Sequence, residues 1–197
     1  QRIASTISEA AITSIQRVAD ALDMSVVVDV AERIASAGNV LCFGSGGISS
    51  MMAMEMQNRL FRLGLPVLGH VDGQLQRMYA ATATKNTVVI AFSVSGFARS
   101  IIDAVEVAQQ YGASTVAVTA PDSRLAKLSH TVINYQPLED GNLYKPTSSR
   151  FAVLAIVDMI ATIVAETRGP KVLEGLRRIK QSVNMYKVED PRLPLGD

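Results

Sequence analysis

The chain has 197 residues, of which 48% are hydrophobic and 19% charged, enough apolar material for one well-buried domain of ordinary size. Its 19 basic and 18 acidic residues nearly cancel, which excludes the strong positive charge of a nucleic-acid-binding surface over the chain as a whole. No apolar stretch is long enough to cross a membrane and no secretory leader opens the sequence, so we expect a soluble cytoplasmic protein. The single cysteine, Cys42, is expected to be a buried, unreactive thiol.

Two amphipathic helices are predicted before the first strand. Apolar residues recur at three- and four-residue steps over 8–22 and again over 26–34. Asp23 or Ser25 is the expected cap of the second helix, and Gly38 is its expected end.

Strands and helices then alternate along the chain. Short apolar runs predict five strands, at 40–43, 67–71, 87–92, 114–119 and 131–134. Segments of helical periodicity lie between them, at 49–63, 74–82, 98–111 and 124–128. In the second of these helices, Met78 and Ala81 are expected to face inward. We therefore predict the α/β class: a three-layer α/β/α sandwich with a five-stranded parallel sheet, preceded by two helices.

The last third of the chain predicts a loop and two helices. The polar segment 136–145 lacks periodicity, and its length indicates a functional loop. Thr147 or Ser148 is expected to cap a helix that runs to about residue 166. This helix is apolar nearly all round, which indicates burial by a partner subunit as well as by the sheet. A basic helix over 171–186, whose charges are expected to form a solvated face, precedes an extended tail.

Two turns rich in serine and glycine follow two of the predicted strands. Residues 44–50 read Gly-Ser-Gly-Gly-Ile-Ser-Ser, and residues 93–96 read Ser-Val-Ser-Gly. Each turn precedes a predicted helix, where backbone N–H groups and serine hydroxyls are suited to surround an anion. Because the carboxyl ends of parallel strands share one edge of a sheet, we expect the two turns to form one phosphate-binding site.

Both turns resemble those of the SIS (sugar isomerase) domain, a family that binds phosphosugars, and the resemblance runs from about residue 40 to 163. Gly112-Ala113 before the strand that ends in Val118-Thr119 resembles the family as well. The resemblance implies a phosphate held by hydroxyls, with glycine backbone giving it room; the residues so placed are Ser45, Ser49, Ser93 and Ser95, with Gly46, Gly47 and Gly96.

One position departs from the family pattern. Ala98 stands where members usually have threonine, so one hydroxyl ligand of the phosphate is missing. Arg99 or Ser100 is a candidate to compensate for it.

Proton-transferring groups are few near the two turns. Aldose–ketose isomerisation needs a base such as Glu or His. Glu55 is the only carboxylate of the helix after the first turn, and Gln57 and Asn58 stand where isomerase-type members tend to place a catalytic glutamate. His70 ends a strand and is a candidate for the site, whereas His130 is expected to be structural. We therefore expect a site that binds without turnover, with no catalytic residue, metal or cofactor.

Residues 144–150, Tyr-Lys-Pro-Thr-Ser-Ser-Arg, lead into an aliphatic helix that contains Asp158. This segment resembles the ligand-site loop and helix of RpiR-type bacterial transcription regulators. Together with the ending at 193–197, it resembles the HexR-type regulators of hexose and gluconate catabolism most. The resemblance implies contacts with the carboxylate or hydroxyls of the sugar, and the residues involved are Lys145, Ser148, Ser149 and Arg150.

This resemblance also implies a domain organisation and a set of partners. Residues 1–38 are expected to be linker and dimerisation helices, 39–186 the phosphosugar-binding domain and 187–197 an extended tail. The family carries a helix-turn-helix domain before the SIS domain, and a chain that begins with Gln1 fits an effector-binding fragment. Expected partners are a sugar phosphate or phosphorylated sugar acid, further copies in a homodimer or tetramer, and operator DNA through the missing domain only, with no membrane. The alternative is a stand-alone phosphosugar isomerase.

Overall fold

The computed structural model of the protein describes residues 2–137, 144 and 146–184. Thirteen elements lie within these ranges, in the order α1 (Arg2–Ala21), α2 (Met24–Ser36), β1 (Asn39–Gly44), α3 (Gly47–Arg62), β2 (Val67–His70), α4 (Gly73–Ala80), β3 (Thr87–Ser93), α5 (Arg99–Gln110), β4 (Ser114–Thr119), α6 (Arg124–Leu128), β5 (Thr131–Asn134), α7 (Ser149–Arg168) and α8 (Lys171–Asn184). All five predicted strands and all eight predicted helices are present. The predicted tail 187–197 lies outside the described residues.

The five strands form one parallel sheet in the order β2-β1-β3-β4-β5. From β1 the chain moves outward to the edge strand β2, then returns to the other side of β1 and continues through β3, β4 and β5. The strand order therefore reverses direction between β1 and β3. Strand β3 is buried along its whole length, as its apolar run predicts for a parallel strand with both faces covered.

Two hydrophobic clusters cover the two faces of the sheet. Alternate residues of β1 enter different clusters: Val40 and Cys42 pack with α2, α3 and α7, whereas Leu41 and Phe43 pack with α4 and α5. This alternation gives the predicted three layers. Cys42 is buried, as predicted, and burial raises the pKa of its thiol.

Helix α7 is covered by other helices of its own chain. The side chains of Ile156, Val157 and Ile160 are fully buried, but the covering elements are α1, α2 and α3 of the same chain. The same chain therefore supplies much of the cover that the sequence calls for, and additional burial by a partner subunit stays a prediction. Helix α1 is the third helix that packs on α7, after α2 and α3.

Helix α4 also differs in the face that it turns inward. Met78 and Ala81, expected inside, are exposed, and Gln76 and Ala80 are buried instead. The helix packs against α5 as well as against the sheet. Gly73 lies against Ser100 of α5, and Gln76 and Ala80, one and two turns further along the same face, are therefore buried. The inward expectation for Met78 and Ala81 is therefore wrong.

None of the helices in the described part of the chain combines the length and the apolar character needed to span a membrane.

The start of α3 lies so close to the end of β1 that only glycine fits at position 44. A Cβ atom there would overlap the backbone carbonyl of Ser49, which belongs to the helix and cannot move alone. We expect Gly44→Ala to lower the free energy of unfolding by roughly 3 kcal/mol, measured by urea denaturation. The matched control is Gly175→Ala in α8, where a Cβ meets nothing closer than 4.0 Å. That substitution should raise stability by roughly 0.5 kcal/mol, since alanine favours helix. Equal effects of both substitutions would contradict the packing described.

Candidate functional site

The two serine–glycine turns leave neighbouring strands at the point where the strand order reverses. Gly44 at the end of β1 pairs with Phe92 of β3, so Ser45 and Ser93 are the next residues along two adjacent parallel strands. Adjacent strands lie about 4.8 Å apart. Helices α3 and α5 leave this point toward opposite faces of the sheet, which opens a crevice between their first turns.

The first turn is built on two glycines with left-handed backbone. Gly46 and Gly47 have φ angles of 70° and 21°, and a Cβ on either would meet no atom within 4 Å. The space above this turn is therefore open, and the glycines are required by backbone conformation, not by packing. Ser45 is half-buried, and Ser49 lies inside the first turn of α3, buried.

In the second turn, both serine hydroxyls accept hydrogen bonds from the turn itself. The Ser93 Oγ accepts from the Gly96 N–H at 3.1 Å, and the exposed Ser95 Oγ accepts from the Phe97 N–H at 3.4 Å. An oxygen that accepts in this way keeps its own O–H proton to donate to a ligand. Gly96 has a φ of 73°, and a Cβ there would overlap Ser123 at the start of α6.

In three helices the side chain of the N-cap residue accepts no hydrogen bond from the backbone N–H groups of the first turn. They are α3, α5 and α7, whose N-cap residues are Gly46, Ala98 and Ser148. Three other helices do have such caps, supplied by Asp23, Asp72 and Ser123. In α7 the Thr147 Oγ1 instead accepts from the Ser149 N–H at 3.2 Å. The starts of α3 and α5 therefore keep backbone N–H groups and the positive end of the helix dipole available to an anion.

Ala98, where the sequence lacks the hydroxyl usual in the family, is thus the N-cap of α5. Compensation by Arg99 or Ser100, the next two residues of the chain, stays a prediction. The Arg99 side chain is 91% exposed and reaches Asp103 at 3.8 Å, and Ser100 packs against Gly73.

The start of α7 lies at the same edge of the sheet as the two turns. At the other end of this helix, Arg168 donates to the carbonyls of Leu63, at 3.0 Å, and Ala35, at 3.1 Å. Helices α2, α3 and α7 therefore end together at the amino edge of the sheet. Because α3 begins where β1 ends, α7 also begins at the carboxyl edge.

The predicted site residues on α7 differ in how they are used. The Ser149 hydroxyl is fully buried and has no hydrogen-bond partner among the described residues. Ser148 accepts from Ser14 of α1 at 3.2 Å. Arg150 donates to the Thr147 carbonyl at 3.0 Å and lies 4.5 Å from the centre of the Phe151 ring. Lys145 lies outside the described residues.

A cleft of about 420 Å³ opens between α1 and the end of β5. Its walls are formed by part of the segment 14–22 and by Asn134, Tyr135, Gln136 and Pro137. The cleft is not at the two turns, but Ser14, one of its lining residues, also contacts Ser148. The end of β5 and the start of α7 are therefore neighbouring parts of one edge.

Two of the candidate proton-transferring groups, Glu55 and His130, are held in other interactions, whereas the buried Nε2 of His70 has no hydrogen-bond partner among the described residues. Glu55 pairs with Arg59 at 2.6 Å. The Gln57 side chain accepts from the Gly69 N–H of β2 at 2.6 Å, so it caps the edge strand. The His130 ring accepts from the Thr115 N–H at 3.2 Å, which confirms its predicted structural role. The described residues contain no group of three or more His, Cys, Asp or Glu side chains arranged to hold a metal ion.

Gln76 positions the end of β1 and was not singled out by the sequence. Its buried side-chain amide donates to the carbonyls of Gly44, at 2.9 Å, and His70, at 2.8 Å, and so ties the ends of β1 and β2 together. A polar residue four positions before the buried Ala80, on the same face of a helix, was the available signal.

These features define a doubly wound α/β domain with a crevice at its switch point. Residues 33–163 match the family described as SIS domain, which is well over half of the chain. The chain belongs to the SIS domain family, as its two turns predict.

Two curated relatives are transcription regulators. The HTH-type transcriptional regulator HexR of Escherichia coli K12 is 28% identical over 191 residues, covering 97% of this chain and 66% of the regulator. HexR of Pseudomonas aeruginosa is 32% identical over 162 residues, covering 82% of this chain and 56% of the regulator. The chain therefore spans between about half and two thirds of these relatives. The predicted resemblance to HexR-type regulators is confirmed.

Two solved structures share the fold. The Vibrio vulnificus NanR protein complexed with ManNAc-6P superimposes with a TM-score of 0.86 at 23% identity, covering 95% of this chain and 70% of that one. The sugar isomerase domain of the RpiR transcription factor from Sphaerobacter thermophilus has a TM-score of 0.82 at 20% identity, covering 92% and 99%.

His70 makes stability depend on pH. Its ring stacks on Tyr79 at 3.9 Å between centroids, and burial lowers the pKa of the imidazole below its ordinary value of 6.5. As pH falls through 6.5, the unfolded chain takes up a proton before the folded one, so the free energy of unfolding must fall.

We expect His70→Phe, which keeps a ring against Tyr79, to lose less stability than the parent between about pH 7.5 and 5.5. Urea denaturation at several pH values measures this. Parallel curves for parent and variant would contradict a lowered pKa of His70.

Proposed function

We propose that the chain is the effector-sensing domain of a transcriptional regulator of sugar catabolism. It binds a phosphorylated sugar or sugar acid and relays this to a DNA-binding helix-turn-helix domain of the same regulator, which is not among residues 1–197. The observation that carries the proposal is the pair of serine–glycine turns on adjacent strands at the switch point, in a chain similar to HexR regulators over most of its length.

The phosphate docks on the two turns. Ser45, Ser93 and Ser95 donate their hydroxyl protons to it, and the starts of α3 and α5 add backbone N–H groups. Gly46, Gly47 and Gly96 let the oxyanion approach the main chain, and Ser49 lines the base of the same site. A sugar phosphate bound to NanR in a structure of the same fold supports this ligand class.

The start of α7 binds the rest of the ligand. The buried Ser149 hydroxyl lacks a partner in the described part of the chain. A buried polar group without a hydrogen bond is energetically unfavourable, so a ligand hydroxyl or carboxylate that bonds to it removes this penalty. Ser148, Arg150 and Lys145 complete this half. Arg150 lies in the first turn of α7, where its charge is unfavourable for the helix dipole, and an anionic ligand offsets that cost.

The ligand signal passes from α7 to α1. Ser148 contacts both the proposed ligand and Ser14, so ligand binding favours one placement of α1 over others. We assign residues 1–38 to the linker that dimerises and carries this change toward the DNA-binding domain, 39–186 to the sensing domain and 187–197 to the tail. The regulator acts in the cytoplasm as a homodimer or tetramer.

Removal of one phosphate-binding hydroxyl tests the site. Isothermal calorimetry with glucose 6-phosphate, fructose 6-phosphate and 6-phosphogluconate should detect binding that the unphosphorylated sugars lack. We expect Ser45→Ala and Ser93→Ala each to weaken binding roughly ten- to hundredfold, since a hydrogen bond to a charged group contributes about 1.5–3 kcal/mol. Ser36→Ala, at the end of α2 remote from the turns, is the matched control and should bind as the parent does. Unchanged affinity in both site variants would contradict the assignment.

A phosphosugar isomerase is the second candidate, because the fold also serves that chemistry in the family that it resembles. The side chain of Glu55 is paired with Arg59, and Gln57 accepts from the Gly69 N–H and has no proton to exchange, which argues against this candidate. A coupled assay on ketose and aldose phosphates should show no turnover. Turnover that Glu55→Gln or His70→Ala abolishes would overturn the sensor proposal.

A further inference from the structure

Gln76 is a polar side chain of α4 that is fully buried beside the first turn. The two protons of its amide are donated to main-chain oxygens, to the carbonyl of Gly44 at 2.9 Å and to that of His70 at 2.8 Å. The amide oxygen has no hydrogen-bond partner among the described residues. A buried acceptor without a partner is unfavourable, and an apolar side chain of the same size would avoid that cost. The contribution of Gln76 is therefore the pair of hydrogen bonds that it donates.

These two hydrogen bonds hold the point at which the chain leaves the sheet. Strands β1 and β2 pair as far as Phe43 and His70, so their ladder ends before Gly44. The Gly44 carbonyl belongs to the same planar trans peptide unit as the nitrogen and the Cα atom of Ser45. Because this unit is rigid, a carbonyl held by Gln76 also sets the position of the Ser45 Cα, from which the hydroxyl-bearing side chain projects.

The same helix is held against the element that follows the second turn. A Cβ atom on Gly73, in the first turn of α4, would lie 2.8 Å from the Ser100 Cβ. Contacts this short are not tolerated, so the two helices approach as closely as a glycine allows. Ser100 is the second residue of α5, two positions after the N-cap residue Ala98. Helix α4 therefore contacts the start of α5 at Gly73 and the end of β1 at Gln76, three residues further on.

A phosphate site built from two turns depends on their separation. Its donors come from different segments, and they act together only when each is held within about 0.5 Å of the geometry that the anion requires. The ladder between β1 and β3 holds the two strands together as far as Gly44 and Phe92. Beyond those residues, α4 contacts both sides of the crevice, through Gln76 on one side and Gly73 on the other.

We propose that α4 fixes the separation of the two turns and that Gln76 is the positioning residue that links this helix to the first turn. Gln76 is fully buried and does not touch the ligand, so it acts through Gly44 and Ser45. The proposal rests on the proposed function, since it needs a phosphate at the two turns. It adds that the affinity for this phosphate depends on a hydrogen bond made by a helix that carries no ligand-binding residue.

Gln76→Met removes both donated hydrogen bonds and keeps the length of the side chain. Isothermal calorimetry with glucose 6-phosphate, fructose 6-phosphate and 6-phosphogluconate measures the effect, with circular dichroism to establish that the variant is folded. We expect the affinity to fall roughly tenfold or more, as it does when the outer partners of metal ligands are removed. The loss should be the same factor for each phosphosugar that the parent binds, because the phosphate is the group that they share. Gly73→Ala, which leaves Gln76 in place but forces α4 away from α5, should also weaken binding.

The matched control is Gln109→Met. The Gln109 amide also donates two hydrogen bonds, to the Thr115 hydroxyl and the Leu128 carbonyl, each at 2.8 Å, but it does so at the amino edge of the sheet, where β4 begins. The control should lower the free energy of unfolding, as Gln76→Met does, and still bind as the parent does. An equal loss of affinity in the two methionine variants would mean a general loosening of the domain and would overturn the proposal.

Two further outcomes separate this proposal from the proposed function. If the parent binds, a folded Gln76→Met or Gly73→Ala variant with the affinity of the parent would overturn the role of α4 and leave the phosphate site standing. A parent that binds none of the three phosphosugars would overturn the proposed function, and the role of α4 with it.

Discussion

The pairing of β1 with β3 is the constraint on which the candidate site depends. These two strands carry helices to opposite faces of the sheet, so their first turns separate and leave a crevice between them. The close approach of α3 to Gly44 and of α6 to Gly96 holds each turn in place. Backbone packing therefore positions the serines, of which Ser45 and Ser95 have solvent-accessible side chains whereas Ser49 and Ser93 are buried.

The chemistry of this crevice favours binding over catalysis. Uncapped helix starts and serine hydroxyls attract and orient an anion, but they do not move protons at neutral pH. Glu55 and Gln57, which lie nearest in sequence to the first turn, are used to pair with Arg59 and to cap β2. The start of α7 is hydrogen-bonded to α1 through Ser148 and Ser14, and the proposed sensor uses this contact.

Local patterns in the sequence predicted the sheet well. The runs at 114–119 and 131–134 match their strands end to end, because continuous apolar segments bounded by turn residues have few other structures open to them. The serine–glycine turns were predicted for the same reason, and Ala98 was recognised as an unusual residue before it proved to be the N-cap of α5. Contacts between distant segments were not predictable in this way. The all-round apolar α7 indicates that something covers it, but periodicity does not say whether α1 or a second subunit does so. Likewise, the inward face of α4 is set by its packing on α5, which placed Gln76 inside and Met78 outside.

One phosphate is expected to occupy the crevice between the two turns. A crystal structure of the chain with 6-phosphogluconate or a hexose 6-phosphate provides the test. We expect the phosphate between Ser45 and Ser93, with its oxygens within about 3 Å of both hydroxyls. A phosphate bound instead in the cleft between α1 and β5, with the two turns empty, would contradict it.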